Sequence, residues 1–436
     1  MTTAAHMRHH VVFINRFYYP DVSATSRLLT QLTEDLCGQG HDVTVITSRF
    51  SYIGATEPWL ETDEYRGVHI RRVWSTHFGQ RRGAVRLIDY LTFYMSAFVA
   101  TLRINGITWL IVMADPPLLS VLAAVAKRIL RCQGACWLQD VFPQIAIQCG
   151  HLRKGFVSSG ISRVARWSLE SLDRVVVVGR CMEQKLLMEG FSGRNLTRIS
   201  NWADGTQLLP LDRRANPFVS THGLQQRFVL MYSGNLGVVH EVDTIDNVIR
   251  CTKMLAQFTM CVIGDGAHRA RLERVARDEQ WSHVQFLPYQ PEETLRFSLT
   301  AAHVHLVTLK PDMSGLSVPS KIYGILAAGR PVIFIGPEDS EAAIIVREAR
   351  CGAVVRPGDH QAVVKALIAY RGDDAFLRQH GQRARAFFDA HCSRPLGTER
   401  FGQLIRSYGY TPVPSHRALR APLPERHRGS IGKVAP

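Results

Sequence analysis

The sequence predicts an α/β protein with two doubly wound parallel sheets facing each other across a cleft. Three observations predict it. Short apolar runs rich in β-branched residues, at 11–15 and 43–47 for example, alternate with amphipathic stretches of helical length. The alternation breaks once, over a Pro-, Asn-, Asp- and Arg-containing stretch at 201–221, and then restarts. At 436 residues the chain is also too long for one core and suits two domains of ordinary size.

In the first half, a strand at 11–15 leads into a loop at 16–25 and a helix from Ser26 to about Gly38. Gly40 and His41 turn the chain into a strand at 43–47. Strands at 68–73 and 109–113, a helix at 118–130 and strands at 136–139 and 174–178 complete this set. After the linker, strands are expected at 228–232, 259–263, 284–287, 304–308, 331–335 and 353–355, with helices between them. The last pattern, 375–408, reads as one long helix crossing back over the first domain. Domains are accordingly placed at 1–205 and 222–374, with helix 375–408 packing on the first. A Pro- and Arg-rich tail at 411–436 has no apolar period and reads as disordered.

Composition narrows the function. Hydrophobic residues make up 46% and charged residues 20%, as in a globular protein able to bury a large core. The net charge of +15 is concentrated in the first half, where residues 1–215 hold 25 Lys and Arg against 17 Asp and Glu, and in the tail. Such a balance suits nucleic acid, an anionic membrane or a phosphorylated substrate. No nucleic-acid motif supports the first. The nine cysteines include no CxxC pair, and the start of the chain shows no signal-peptide pattern. Reduced thiols and a cytoplasmic location are therefore expected.

No run of about twenty apolar residues is free of breaks. The nearest, 87–102, lies between Arg86 and Arg103. Two readings stand for it: a core or inter-domain helix, or a helix in the membrane interface with Arg81, Arg82 and Arg86 meeting lipid phosphates.

Three loops at expected strand ends carry the chemistry. Ser233-Gly234-Asn235-Leu236-Gly237 follows the first strand of the second domain, where glycines let backbone N–H groups approach a diphosphate. Gly264-Asp265-Gly266 ends the next strand. It resembles a dinucleotide fingerprint, but the third glycine position holds Arg269, which argues against a dehydrogenase. Val318-Pro319-Ser320-Lys321 opens a helix. There Lys321 supplies a mobile charge and Ser320 a hydroxyl, the alternatives being a cap and a solvated charge.

Together these segments (YSGNLG at 232–237, IGDG at 263–266, VQFLP at 284–288, VPSK at 318–321 and LAAGRPV at 326–332) resemble the family 4 glycosyltransferases. So do Tyr19-Pro20, GHDVTV at 40–45, DVFPQ at 140–144 and NWAD at 201–204 in the first half. The resemblance is nearest to the subset of bacterial exopolysaccharide and O-antigen assembly that carries the Pro-Ser-Lys form. It implies two Rossmann-like domains in the GT-B arrangement and retaining sugar transfer from a UDP- or GDP-linked donor, with no metal cofactor. The acceptor it implies is a polyprenyl-diphosphate-linked or glycan precursor at the inner face of the cell membrane, with no nucleic-acid partner.

Departures qualify this. The wider family carries an Arg and a Lys where this chain has Asn235 and His240, and two glutamates where it has Leu316 and Gly324. Lys321 is then expected to take over diphosphate charge, helped by His240 if that ring is protonated. Gly234, Asn235, Gly237, His240, Gly264, Gly266, Tyr289, Ser320 and Lys321 form the expected donor site. Asp140 is the first candidate to accept the acceptor proton, the other reading being a turn aspartate; Asp115 is the second candidate. A nucleotide-sugar epimerase, or a non-catalytic nucleotide-sugar-binding subunit that needs a partner, are the alternatives.

Overall fold

The computed structural model describes residues 8–21, 23–51, 58–78 and 84–407. The tail at 411–436, Arg81 and Arg82 lie outside these residues. The first sheet contains β1 (His10–Ile14), β2 (Asp42–Ser48), β3 (Thr62–Tyr65), β4 (Val68–Val73), β5 (Trp109–Met113), β6 (Gln133–Leu138), β7 (Arg174–Val177) and β8 (Leu196–Arg198). Their order is β3-β4-β2-β1-β5-β6-β7-β8. The second contains β9 (Phe228–Ser233), β10 (Phe258–Ile263), β11 (Val284–Leu287), β12 (Val304–Thr308), β13 (Val332–Ile335) and β14 (Gly352–Val355), in the order β11-β10-β9-β12-β13-β14.

All pairings are parallel except β3 with β4. That hairpin turns on Arg66 and Gly67, both at positive φ. Its Thr-Asp-Glu-Tyr strand is exposed on an edge, so it lacks the apolar signal that marks the others. The inner strands are apolar because helices cover both faces of each sheet, and β1, β5 and β9 are almost fully buried.

Each sheet reverses its winding once, between β1 and β5 and between β9 and β12. Open parallel sheets leave a crevice at such switch points, at the carboxyl ends of the strands. The two crevices face each other, and the loops after β1, β5, β9 and β12 meet there.

The expected helix over 375–408 is two helices, Asp374–His391 and Arg394–Arg406. The break falls at Cys392 and Ser393. Pro395 lies in the first turn of the second helix and cannot continue the first, because it lacks an N–H and crowds the preceding backbone. Helix 374–391 packs on helix 321–327 of the second domain, and helix 394–406 packs on helix 24–38 of the first. Arg394 binds Glu34, Asp35 and Asp204, and the Trp109 indole N–H donates to the Ile405 carbonyl at 3.2 Å.

The NWAD segment joins these parts. The Asn201 and Gln139 amides bond reciprocally at 2.8 and 3.1 Å, and the Trp202 N–H donates to Gln31 at 3.0 Å. Trp202 stacks at 5.4 Å on Trp137, which meets Phe401 at 4.7 Å. Gly397 faces Trp202 so closely that a Cβ there would lie 2.2 Å from the indole.

Helix Ala84–Leu102 buries Asp89, Phe93, Ala97, Ala100 and Thr101 and leaves Leu87, Ile88, Leu91, Met95 and Val99 exposed. It is long and apolar enough to cross a membrane by length and composition. Its inner stripe is nevertheless part of the domain, where Asp89 accepts from the Thr76 hydroxyl at 2.7 Å. Neighbouring helices 119–130 and 156–170 add exposed Val125, Ile129, Phe156, Val157, Val164 and Trp167 to the same side of the sheet. All nine cysteines are free and six are buried.

Across the domain junction, Arg180 donates through its backbone N–H to Glu341 at 2.6 Å and through its guanidinium to Glu341 and Glu348. Glu341 is 3% exposed. Glu341→Ala leaves the Arg180 N–H without an acceptor and its half-buried guanidinium with Glu348 alone, so it should destabilise the fold by about 1–2 kcal/mol. Calorimetric melting should show the loss as a lower Tm.

Candidate functional site

A cavity of about 690 Å³ lies between the domains. Phe17, Ser23, Thr25, Arg27 and Asp115 line it from the first domain. Ser233, Gly234, Asn235, His240, Tyr289, Glu292 and the segment 317–321 line it from the second. The structure thus brings Gly234, Asn235, His240, Tyr289, Ser320 and Lys321 together as the sequence predicts. Gly237, Gly264 and Gly266 are not part of the wall.

Those glycines do something else. A Cβ on Gly264 would lie 2.4 Å from the Gly234 carbonyl, and one on Gly266 would lie 2.5 Å from Asn235 Oδ1. Both have φ in the region that L side chains avoid, at 120° and 137°. The second glycine loop therefore locks into the first, and the close approach is backbone to backbone. Leu236 N–H donates to the Asp265 carbonyl at 2.7 Å and Gly234 N–H to the Ile263 carbonyl at 2.9 Å. Among the described residues, the Asn235 and Gly237 N–H groups have no acceptor. Nor does a helix begin directly after Gly237. The next one starts at Asp243, with Asp243 and Asp246 in its first turn, so its dipole does not serve the loop.

Lys321 begins helix Lys321–Ala327. Its ammonium lies 3.7 Å above the Tyr232 ring, bonds the Tyr232 hydroxyl and donates to the Asn235 carbonyl at 3.3 Å. No carboxylate among the described residues pairs with it, and burial pushes its pKa well below the ordinary lysine value. An anion placed beside it would restore the charged form. Ser320 makes no cap hydrogen bond to the helix, which leaves its hydroxyl to the cavity.

His240 differs from the expectation of a protonated helper. Its Nδ1 bonds the Thr308 carbonyl at 2.8 Å, and the ring is 7% exposed. Burial first and the Lys321 charge second hold its pKa down at about 3, so the ring is neutral. It shapes the wall and contributes no cation.

The two acids also separate. Asp140 pairs with Ser317 in an isolated antiparallel bridge between the domains, reinforced by Val141 N–H donating to the Leu316 carbonyl at 2.9 Å. Its carboxyl bonds the Ser317 side chain, and burial raises its pKa. It stands behind the cavity wall, whereas Asp115 is in the wall. The places where the resemblance leads one to expect glutamates are apolar. Leu316 is 2% exposed, and a Cβ on Gly324 would meet Leu299 and Leu208 at ordinary contact distance.

Sequence reasoning missed Arg27 and Glu292, which face each other across the cavity at 3.6 Å. Each is an unremarkable helix-start charge by itself, so only the fold reveals the pair. Among the described residues no group of three or more His, Cys, Asp or Glu side chains is placed to hold a metal ion.

Comparison with known proteins now decides the family. Residues 227–373 match the "Glycosyl transferases group 1" model and residues 24–202 the "Glycosyl transferase 4-like domain" model. The chain belongs to the GT-B glycosyltransferases of this family. It is similar to a protein of Pseudomonas aeruginosa assigned as the glycosyltransferase WbjE, at 28% identity over 293 residues, covering 67% of this chain and 72% of that one. It is also 24% identical over 392 residues, 85% of this chain and 93% of the other, to WcaI of Escherichia coli K12, assigned to colanic acid biosynthesis. The fold resembles sucrose-phosphate synthase from Thermosynechococcus elongatus, with TM-score 0.72, 18% identity and coverage of 92% and 99%. Anabaena HepE in complex with UDP and glucose gives TM-score 0.68, 13% identity and coverage of 91% and 99%. The enzyme is thus a glycosyltransferase of the polysaccharide-biosynthesis type.

The His240 ring should stay neutral over the range in which an ordinary imidazole titrates. Its pKa falls from 6.5 to about 3 on folding, so the unfolded chain binds the extra proton and the native state loses stability as pH drops through that window. Imidazole carbon shifts followed by NMR from pH 8 to pH 5 should therefore not move for this residue.

Proposed function

We propose that the enzyme moves a sugar, with retention, from a UDP- or GDP-linked donor to a lipid-linked or polysaccharide-precursor acceptor at the cytoplasmic face of the membrane. The observation that carries this reading is Lys321: a half-buried ammonium with no carboxylate partner among the described residues, beside the Gly234–Asn235 loop in a cavity between two parallel sheets. An anionic diphosphate is the partner such a charge lacks.

As the bond from the anomeric carbon to the diphosphate breaks, negative charge grows on the leaving oxygen. Lys321, the Asn235 N–H group and the Ser320 hydroxyl meet it in the cavity, which Tyr289 and the Arg27–Glu292 pair also line. The acceptor hydroxyl attacks from the first-domain side and its proton passes to the departing phosphate oxygen. Asp140, held by Ser317 behind the wall, keeps the two domains in register and is a positioning residue in this scheme. Charge compensation by Lys321 makes a metal cofactor unnecessary.

Membrane contact is supported by the exposed face of helices 84–102, 119–130 and 156–170. There Leu91, Met95, Phe156 and Trp167 are bare and Arg86, Arg128, Arg153 and Lys154 stand nearby in sequence. Apolar side chains with flanking cations suit an anionic lipid surface.

Isothermal calorimetry with UDP and with GDP should show binding of one of them, UDP being the first to try given the HepE complex. Lys321→Ala should weaken that binding by roughly 10- to 100-fold, the worth of a charge-assisted contact. Equal affinity in the variant would remove Lys321 from the donor site. In a flotation assay with anionic liposomes, the double variant Leu91→Glu and Met95→Glu should stay in the soluble fraction while the wild type floats. Equal flotation would leave this face without its role.

A further inference from the structure

Three carboxylates line the cavity: Asp115, Asp204 and Glu292. Two are engaged. Asp204 accepts from the Thr206 N–H and hydroxyl at 2.9 and 2.6 Å and from Arg394 at 3.2 Å. Glu292 faces Arg27 at 3.6 Å. The Asp115 carboxylate has no hydrogen-bond partner among the described residues.

Its surroundings are built. The backbone is fixed, since Arg16 N–H donates to the Asp115 carbonyl at 3.0 Å and so ties the loop after β5 to the loop after β1. The Arg16 and Arg86 guanidiniums lie 5.2 and 5.4 Å from the Tyr90 ring centroid, and both favour an ionised Asp115. Arg16 is 9% exposed, and its Nε has no hydrogen-bond partner among the described residues. The Tyr94 hydroxyl, close enough to feel the Asp115 charge, is buried and also lacks one. A half-buried carboxylate with free lone pairs after a central strand, opposite a donor site, is under-bonded on its cavity side.

We propose that Asp115 binds the acceptor: its carboxylate accepts a hydrogen bond from a hydroxyl of the sugar that receives the new residue, and so fixes which hydroxyl faces the donor. This rests on the transferase reading of the same cavity. In the transfer step the acceptor oxygen bonds to the anomeric carbon and the bond from that carbon to the diphosphate oxygen breaks. The acceptor proton ends on the phosphate, and Asp115 neither gains nor loses a proton.

The charge state gives a readout that a structural role would not move. Arg16 and Arg86 from two elements, with Asp21, Tyr90, Tyr94 and Asp140, are the titratable groups around Asp115. Burial raises its pKa above the ordinary carboxylate value while the two arginines pull it back. The ionised form accepts a stronger, charge-assisted bond than the protonated acid, so acceptor affinity falls as pH drops through this raised pKa. Arg86→Gln removes one cation and moves that acid limb to higher pH.

The experiment measures incorporation of labelled sugar into a lipid extract of membranes from the encoding organism, with the apparent KM for extract lipid and the nucleotide Kd by calorimetry. Asp115→Asn should raise the apparent acceptor KM roughly 10- to 100-fold, abolish the acid limb and leave the nucleotide Kd in place. Arg86→Gln should shift the limb upward. An unchanged acceptor KM in Asp115→Asn, or the same KM effect from Asp140→Asn instead, overturns the assignment. If Asp115→Asn also loses nucleotide binding, the substitution has disturbed the cavity, and the direction of the Arg86→Gln shift decides. Nucleotide binding by the wild type without any incorporation would sink the transferase reading itself, and this assignment with it.

Discussion

Everything functional in this enzyme depends on two parallel sheets reversing their winding at opposed positions. A parallel sheet must be covered on both faces, so its only open ground is the edge where strand ends and crossovers diverge. β1 and β5 diverge in one sheet, β9 and β12 in the other; Arg16 and Asp115 lie on loops leaving the first edge, and Lys321 follows β12 at the second. The chemistry is thus shared: one domain offers a cation and free amides, the other a carboxylate.

Holding the edges opposed requires contacts that neither domain makes alone. The Trp137–Trp202–Phe401 cluster, the Asn201–Gln139 amide pair and the Arg394 ion pairs bind the linker and the C-terminal helix to the first domain. The Arg180–Glu341 pair and the Asp140–Ser317 bridge join the domains on the other side of the cavity. Breaking the long terminal helix at Ser393 is what lets one half serve the second domain and the other half the first. The NWAD motif is accordingly architectural, and its acid is fully occupied by Thr206 and Arg394.

The buried charges follow one logic. Among the described residues Lys321 has no carboxylate partner and Asp115 has two arginines near it but no hydrogen bond to its carboxylate, a partly desolvated state that costs folding free energy. His240 avoids that cost by staying neutral against a carbonyl. On the proposed reading, in which the site accepts a diphosphate and presents a hydroxyl, a prior ion pair would compete with the ligand, so one cation and one anion are left under-bonded.

The strands were legible in the sequence because apolar, β-branched runs of strand length have few other uses, and the glycine loops were legible because only glycine fits their backbone. β3 and β8 were not, since short edge strands carry little apolar pattern. Lys321, Ser320 and Asn235 were readable from the Pro-Ser-Lys and Ser-Gly-Asn segments. The true work of Gly264 and Gly266 was not, because sequence shows that a Cβ is absent and not what occupies its place. By itself the sequence determined two wound sheets and the glycine-rich loops at their strand ends, all of which follow from local pattern and spacing. Tertiary structure alone decided that His240 is neutral, that Asp115 and not Asp140 fronts the cavity, and that Arg27 meets Glu292. Each of these depends on burial or on distance between segments far apart in the chain, which local pattern does not encode.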